Sequence, residues 1–259
     1  MKERTWRLLD SEFFEDPYFN MAVEEAIPRK VGEGVVRNTL RFWRNKNTIV
    51  IGRFQKVTLE VNLEACKKYG TTIVRRFTGG GAVYHDQGNL NYAISLPKEH
   101  PLIHNNISIN FRNFLLGFIE GLKVLGLKVE FKPINKIEAN GRKISGAAGC
   151  LRWGAFFLHG SMLVSSNLNV LSEVLDAPQD DLASSYVRSI RDRVTTIHNE
   201  LRTDISIKDV KQALKTGFER SYRVKLIEGM LGKQELILAE ELYQRKYSKE
   251  KWNSRAESE

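Results

Sequence analysis

A chain of 259 residues, 42% of them hydrophobic, has enough apolar material to build a core, which excludes fibrous, collagen-like and wholly disordered classes. Forty Lys plus Arg against thirty-one Asp plus Glu leave a formal charge of +9, which favours an anionic partner without choosing among nucleotide, nucleic acid and acidic protein. Two cysteines, Cys66 and Cys150, make neither a disulfide framework nor a tetrahedral metal site, so reduced thiols are expected.

The first ten residues carry Lys2, Glu3, Arg4 and Arg7 with no apolar run behind them, so a cytoplasmic chain without a leader or membrane anchor is expected. Asp16-Pro17 is a helix start, and Phe19, Ala22, Val23, Ala26 and Ile27 continue it at helical spacing to about residue 29. Residues 39–43 and 48–51 are β-rich runs separated by Arg44-Asn45-Lys46-Asn47, which reads as a hairpin. A short helix over 63–69 ends at Gly70, followed by strands over 71–75 and 89–96. Phe114, Leu115, Phe118, Ile119, Leu122 and Leu125 form a 3.6-period stripe that stops at Gly126. Strands follow over 128–131 and 142–145, the second entered through Asn140-Gly141. The uncharged stretch 153–172 holds too many Ser and Asn for a bilayer span and reads as buried strands, with a pair over about 155–164. From Ser206, with Asp209 three positions on, the pattern turns helical apart from a strand over 223–227. The expected class is α+β, a mainly antiparallel mixed sheet flanked by helices, as a single domain over 1–259 that is mostly helical from about residue 200.

The densest chemical signal is Arg75-Arg76-Phe77-Thr78-Gly79-Gly80-Gly81-Ala82-Val83-Tyr84-His85-Asp86. Three glycines free a turn of Cβ atoms, so backbone N–H groups can approach an anion, and two arginines upstream can add bidentate donors to phosphate. The spacing matches neither the dinucleotide fingerprint nor the Walker loop. A bare triple glycine is more often a solvated hairpin; His85, Asp86, Asn89 and Asn91 crowding the same segment tilt it towards a site. In Gly141-Arg142-Lys143-Ile144-Ser145-Gly146, a strand lysine followed by small residues leaves room for a ligand beside an ammonium, although alone it is an ordinary hairpin. His159-Gly160-Ser161 is a polar notch in an apolar strand, where a lone histidine is more often a satisfied core group.

Taken in order, the Arg75 to Asp86 run, Gly88-Asn89-Leu90-Asn91, Gly141 to Gly146, His159-Gly160, the 186–195 segment and the ending from Lys246 to Asn253 resemble the lipoate-protein ligase family. The resemblance implies the biotin/lipoate ligase (class II synthetase-like) catalytic domain, and ATP-dependent activation of lipoate to lipoyl-AMP with transfer to a lysine of a lipoyl carrier domain. Such carriers are the E2 component of 2-oxoacid dehydrogenases and the glycine cleavage H protein. By motif, Lys143 would be the catalytic group, bridging the lipoate carboxylate and the α-phosphate. Arg76, Gly79, Gly80, Gly81, Ala82, Val83, Tyr84 and Lys143 would bind ATP. Arg75, His85, Asn89, Lys143, Gly146, His159 and Gly160 would bind lipoate, with Phe42, Val74 and Ala148 as candidates for its apolar slot. Mg²⁺ is implied, but where relatives often have an Asn-Asp pair before the lysine strand this chain has Asn135-Lys136, which leaves Glu138 or Asp86 as metal ligands. The ending after Trp252-Asn253 implies the large subunit of a split ligase, the small accessory domain being a separate protein.

The main rival is an octanoyl or lipoyl transferase that forms a thioester without ATP, with Cys150 as nucleophile if the Lys143 ammonium activates it. Transferases of the group carry their cysteine ahead of the lysine strand or further along the chain, which argues against Cys150. A biotin ligase is disfavoured because the Gly-Arg-Gly-Arg loop is missing. Nucleic-acid binding is not expected either, because the basic residues are dispersed and the 246–251 run is interrupted by Tyr247 and Glu250.

Overall fold

The computed structural model describes residues 4–175 and 193–255. In chain order the elements are β1 (Arg4–Asp10), α1 (Pro17–Gly32), β2 (Thr39–Trp43), β3 (Thr48–Ile51), α2 (Val57–Glu60), α3 (Leu63–Tyr69), β4 (Thr72–Arg75), β5 (Val83–His85) and β6 (Asn89–Pro97). There follow α4 (Ile107–Val124), β7 (Val129–Lys132), β8 (Lys136–Ala139), β9 (Arg142–Arg152), β10 (Ala155–Leu163) and α5 (Leu168–Val174). After residue 192 come α6 (Ile197–Leu201), α7 (Ile207–Tyr222), β11 (Val224–Glu228), α8 (Lys233–Leu242), a π-helical turn Tyr243–Tyr247 and α9 (Glu250–Arg255). The fold is α+β, as expected.

Among the described residues eight strands form one sheet, ordered β11-β1-β2-β6-β10-β9-β8-β7, and three form another, β4-β3-β5. The joins β11–β1 and β1–β2 are parallel and those from β2 to β7 antiparallel, so the large sheet is mixed. Runs 39–43 and 48–51 do not form the expected hairpin: β2 lies in the large sheet and β3 in the small one. The intervening asparagines pair with other segments instead of closing a turn. Asn45 Oδ1 accepts from Asn20 Nδ2 at 2.8 Å, and Asn47 holds the approach to β4, donating to the Tyr69 carbonyl at 2.7 Å and accepting from Thr72 N at 3.1 Å. The stretch 153–172 is also only partly strand. Asn167 caps α5 by accepting from the Asn169 and Val170 amides, so the Ser/Asn cluster is a helix start.

Helices α4 and α7 pack against each other and cover one face of the large sheet. The stripe read from sequence is that buried face: Phe114, Leu115, Phe118 and Leu122 are fully buried against Tyr92, Phe156 and Leu158. Each such side chain contributes about 1.5–3 kcal/mol by leaving water. Ser206 and Asp209 form the expected capping box on α7, Gly70 ends α3 in the left-handed conformation, and the Asn140-Gly141 turn has both φ positive. The opposite face carries α1, joined by α8 and the C-terminal residues Tyr247 and Trp252. Helix α1 passes through Pro28 and ends three residues later than the spacing suggests. No helix among the described residues is long and apolar enough to cross a membrane.

One buried side chain ties the small sheet to the end of the chain. Arg75 donates to the carbonyls of Gly52, Arg53 and Gln55 at 2.7–3.1 Å and to those of Trp252, Asn253 and Ser254 at 2.9–3.1 Å. Its backbone N–H donates to Asn253 Oδ1, and its carbonyl accepts from Trp252 Nε1, both at 2.9 Å. A cation among the last carbonyls of α9 also suits the helix dipole. Arg75→Leu is expected to strand these carbonyls, at about 1–3 kcal/mol for each that water cannot reach. The melting temperature should fall steeply and amides of α9 should lose hydrogen-exchange protection; Arg75→Lys should rescue little, because an ammonium cannot span both sets of acceptors. A melt unchanged in Arg75→Leu refutes the clamp.

Candidate active site

Between the two sheets, under α1, lies a cavity of about 280 Å³. Apolar walls come from Met21, Trp43, Val50, Val83, Ala147 and Ala148, and polar groups from Glu24, Arg76, His85, Asn91, Asn135, Lys136, Lys143, His159 and Ser161, with Gly80 to Ala82, Gly146 and Gly160 completing the lining. Thus Arg76, Gly80, Gly81, Ala82, Val83, His85, Lys143, Gly146, His159 and Gly160 come together as the motifs suggested. Arg75, Gly79, Tyr84 and Asn89 do not line the cavity: Arg75 clamps the C-terminal helix, Tyr84 faces the core of the small sheet, and Asn89 donates to Asn91 Oδ1 at 2.8 Å. Of the slot candidates Ala148 lines it, whereas Phe42 and Val74 sit in the core clusters on either side.

Arg76 does not present a bidentate fork to the cavity. Its Nε and Nη2 donate to the Gly79 carbonyl at 3.2 and 2.7 Å, Nη2 also to Gly81 at 2.8 Å, and Nη1 to Val50 at 3.0 Å. Burial draws its pKa down to about 10, which leaves it charged at neutral pH. The guanidinium therefore turns the glycine carbonyls towards itself. Gly80 sits at φ +89°, which a side chain rarely adopts, so the turn depends on glycine there.

The turn is also held from the other side. Glu24 on α1 accepts from His159 Nδ1 at 2.9 Å, and in the neutral ring His159 Nε2 accepts from the Thr78 hydroxyl at 2.6 Å, one residue before the glycines. His159 is thus both a buried, satisfied group and a wall of the site. Glu24 was not a sequence candidate; its signal is a pair of glutamates inside an otherwise apolar helix face. Its neighbour Glu25 points elsewhere, accepting from Lys246 Nζ at 2.6 Å and Tyr247 Oη at 2.5 Å. Burial opposes the Glu25 charge, but Lys246 and Arg29 hold its carboxyl below the usual value.

His85 is fixed in one tautomer. Asn45 Nδ2 at 3.1 Å and Asn91 Nδ2 at 3.4 Å both face Nδ1, which has to accept, so the proton sits on Nε2. That Nε2 is buried without a hydrogen-bond partner among the described residues. Burial, with Arg76 and His159 nearby, lowers the pKa to about 3 and keeps the ring neutral. A neutral ring with an unanswered N–H is a ready donor to a ligand oxygen.

Lys143 reaches the cavity by a local irregularity. The β8–β9 register pairs Ile137 with Ser145 but Glu138 with Lys143, so Ile144 is an extra residue. Ser145 and Ile144 both turn to the α4 side, where Tyr92 Oη lies 2.9 Å from Ser145 Oγ, and the bulge returns Lys143 to the cavity side. Its Nζ lies 3.1 Å from where a Cβ on Gly146 would stand, so Gly146 makes room for the ammonium. The backbone of Lys143 is held by Arg193 O and Thr195 N at 2.7 and 3.0 Å; residues 186–192 of the motif that ends there lie outside the described residues.

The described lining residues do not by themselves supply the ligands of a protein-held Mg²⁺. Such an ion asks for an octahedron of oxygens anchored by carboxylates. Glu24 is the one carboxylate among the described lining residues, and both its oxygens face His159 Nδ1, at 2.9 and 3.2 Å. Asp86 uses its two oxygens on the Gly88 and Asn167 amides, and neither it nor Glu138 lines the cavity. No cluster of three potential metal ligands stands together among the described residues.

Because His85 binds its proton only in the unfolded chain between about pH 6.5 and 3, its contribution to stability is present above 6.5 and lost as the pH falls. The melting temperature should drop on acidification through this window, and His85→Asn should flatten the drop. Parallel profiles for the two proteins refute the neutral, buried assignment.

The model of the lipoyl protein ligase A/B catalytic domain matches residues 16–219. Lipoate-protein ligase A subunit 1 of Thermoplasma acidophilum is 36% identical over 257 residues, covering 95% of each chain. Octanoyltransferase LipM of Brevibacillus brevis is 31% identical, covering 96% of this chain and 99% of its own. Among solved structures, the bi-partite lipoate protein ligase described with its E2 lipoyl domain from T. acidophilum superposes with a TM-score of 0.84 at 34% identity, covering 97% of this chain and 96% of the other. A lipoate-protein ligase A bound with ATP gives 0.84 at 34% identity, covering 96% and 98%. The chain belongs to the lipoyl protein ligase A/B catalytic domain family.

Proposed function

We propose that this chain is an ATP-dependent lipoate-protein ligase subunit that forms lipoyl-AMP and passes the acyl group to a lysine of a lipoyl carrier domain. The relatives divide between ligases and octanoyltransferases, so the choice turns on which nucleophile the cavity offers. Neither of the two cysteines lines it. Cys66 is buried beneath the small sheet. Cys150 lies seven residues beyond Lys143 on an extended strand, roughly 20 Å away at ~3.3 Å per residue, packed by Phe77, Trp153 and Phe157. Burial pushes its thiol up to about 11, the opposite of the lowered value a thioester-forming thiolate needs. The cavity instead offers an ammonium, a glycine turn and a neutral histidine donor beside an apolar recess, which suits an acid with a hydrocarbon tail meeting a nucleotide.

In this reading the acyl chain lies along Met21, Trp43, Val50 and Ala148, and its carboxylate meets Lys143. A carboxylate oxygen attacks the α-phosphorus, the bond to the β-phosphate oxygen breaks, and pyrophosphate leaves. Lys143 and the N–H groups of the glycine turn stabilise the charge that grows on the phosphorus oxygens, and His85 Nε2–H donates to an oxygen of the acyl phosphate. The carrier lysine, as free amine, then attacks the acyl carbon and AMP departs. The relative named as a subunit and the bi-partite structure support a separate small partner that completes the site, a closed face protecting the mixed anhydride from water. A cytoplasmic location belongs to the same proposal.

Lys143→Ala should lower lipoate-dependent ATP–pyrophosphate exchange by roughly 30- to 1,000-fold, the equivalent of about 2–4 kcal/mol in the barrier, while the melt stays unchanged. Exchange that survives this substitution refutes the role of the lysine. Cys150→Ser should leave exchange and carrier modification, read by intact mass, as in the wild type. Loss of acyl transfer from an acyl-carrier thioester in that variant, with no need for ATP in the parent, would install the transferase reading instead.

A further inference from the structure

A buried cation that the ligase reading leaves unused stands behind the cavity wall. Arg41 on β2 is 1% exposed and does not line the cavity; its guanidinium lies over the Trp43 ring, 4.6 Å from the centre, and donates to the Ser11 carbonyl at 3.2 Å. Burial draws its pKa down to about 10, which leaves it charged at neutral pH. Its Nη2 also donates to Asn20 Oδ1 at 2.7 Å, and there a chain of side chains begins. Asn20 Nδ2 donates to Asn45 Oδ1 at 2.8 Å, and Asn45 Nδ2 donates to His85 Nδ1 at 3.1 Å. Asn20 and Asn45 are fully buried, and His85 ends the chain at the cavity.

The direction of this chain is fixed at its far end. A guanidinium can only donate, so the oxygen of Asn20 must face Arg41 and its NH₂ must face away. The Phe13 carbonyl, which can only accept, lies 2.8 Å from the same NH₂ and demands the same orientation. That NH₂ requires the oxygen of Asn45, which leaves the Asn45 NH₂ for the ring. Ring Nδ1 therefore accepts, and the proton sits on Nε2, the nitrogen left for the cavity. Asn91 repeats the instruction: its oxygen accepts from Asn89 Nδ2 at 2.8 Å, which turns its own NH₂ to Nδ1, 3.4 Å away. Hydrogen bonds in series polarise one another, so the charge on Arg41 strengthens each donor down to the Nε2–H.

We propose that Arg41, Asn20 and Asn45 are positioning residues for the adenylation step, a one-way relay that locks His85 as an Nε2–H donor before any ligand arrives. The kinetic part rests on the adenylating reading above; the locked proton does not. Without the relay the ring can hold its proton on either nitrogen, and the wrong choice turns a lone pair towards the acyl phosphate oxygen in place of a donor.

The test is ¹⁵N NMR of the histidine rings in the full, ligand-free chain at about pH 8, above the ordinary histidine range, with the His85 signals identified by their loss in His85→Gln. The wild type should show an unprotonated Nδ1 and a protonated Nε2. Asn45→Asp sets an acceptor against the ring while still accepting from Asn20, and should put a proton on Nδ1. Asn20→Asp should do the same from one residue further back, by turning the Asn45 amide over, and Asn20→Leu, close to asparagine in shape, cuts the relay and should leave both tautomers. Melts identify the variants that fold. A wild-type ring protonated on Nδ1, or a ring still protonated on Nε2 alone in Asn45→Asp or in a folded Asn20 variant, overturns the relay. Lipoate-dependent ATP–pyrophosphate exchange reads the consequence: Asn45→Asp should lose roughly 10- to 100-fold, the scale of one hydrogen bond to a charged oxygen, and should cost nothing further when added to His85→Gln. Losses that add in the double variant overturn the positioning role. A proton that moves as expected in a chain with no exchange activity overturns the ligase reading and leaves the locked donor standing.

Discussion

A glycine turn that offers its N–H groups to an anion must dispose of its carbonyls, and two consecutive arginines solve that problem here. Arg76 collects the carbonyls of Gly79, Gly81 and Val50, while Arg75 collects those of residues 52, 53 and 55 together with the last carbonyls of α9. Consecutive residues of extended chain point to opposite sides, so one arginine serves the cavity side and the other the outer side. The chain at 52–55 in turn lies against the glycines: Arg53 N donates to Thr78 O at 2.8 Å, and Gly52 approaches Gly80 so closely that a Cβ would lie 2.0 Å from its carbonyl oxygen. The turn, the neighbouring loop and the end of the chain therefore form one hydrogen-bonded unit. Its cohesion explains how two guanidinium groups are buried with carbonyl oxygens as their hydrogen-bond acceptors.

Helix α1 uses the same device with the opposite sign. Glu24 and Glu25 are adjacent, about 100° apart on the helix, and face different tasks. Glu24 orients His159 and through it Thr78; Glu25 gathers Lys246, Tyr247 and Arg29. The helix is thus fixed to the cavity wall and to the C-terminal segment by neighbouring residues. Its burial on several sides accounts for two carboxylates and a proline within a segment whose apolar residues alone define no clean stripe.

The sequence was most legible where one local rule acted without competition. The α4 stripe, the capping box at Ser206, the Asn140-Gly141 turn and the glycine run with its following histidine were all readable, because spacing and backbone freedom determine them. The hairpin expected over 39–51 failed because turn-like polarity cannot reveal that Asn45 and Asn47 have partners in Asn20 and in the 69–72 segment. Arg75 and Arg76 were seen, but their acceptors were invisible: a guanidinium beside glycines suits phosphate and carbonyl oxygen equally well. Glu24, Trp43 and Lys136 were missed because they reach the cavity from strands and a helix distant in sequence, and only the sheet order brings them there.

The bulge in β9 shows how little backbone change separates the chemistries of such a fold. Beyond the bulge, Gly146 and Ala148 line the cavity, and Cys150 follows on the same alternating face. The cavity stops short of it because Trp153 and Phe77 close over the strand there. Position along one strand therefore decides which functional group a ligand can meet: the lysine end is open and cationic, and the cysteine end is sealed under aromatic rings. A regular ladder that kept Ile144 and paired it with Glu138 would turn the Lys143 ammonium into the α4 core and Ile144 towards the cavity. The irregular register is thus the structural condition for placing an ammonium at the cavity, and the apolar burial of Ile144 is what keeps it in place.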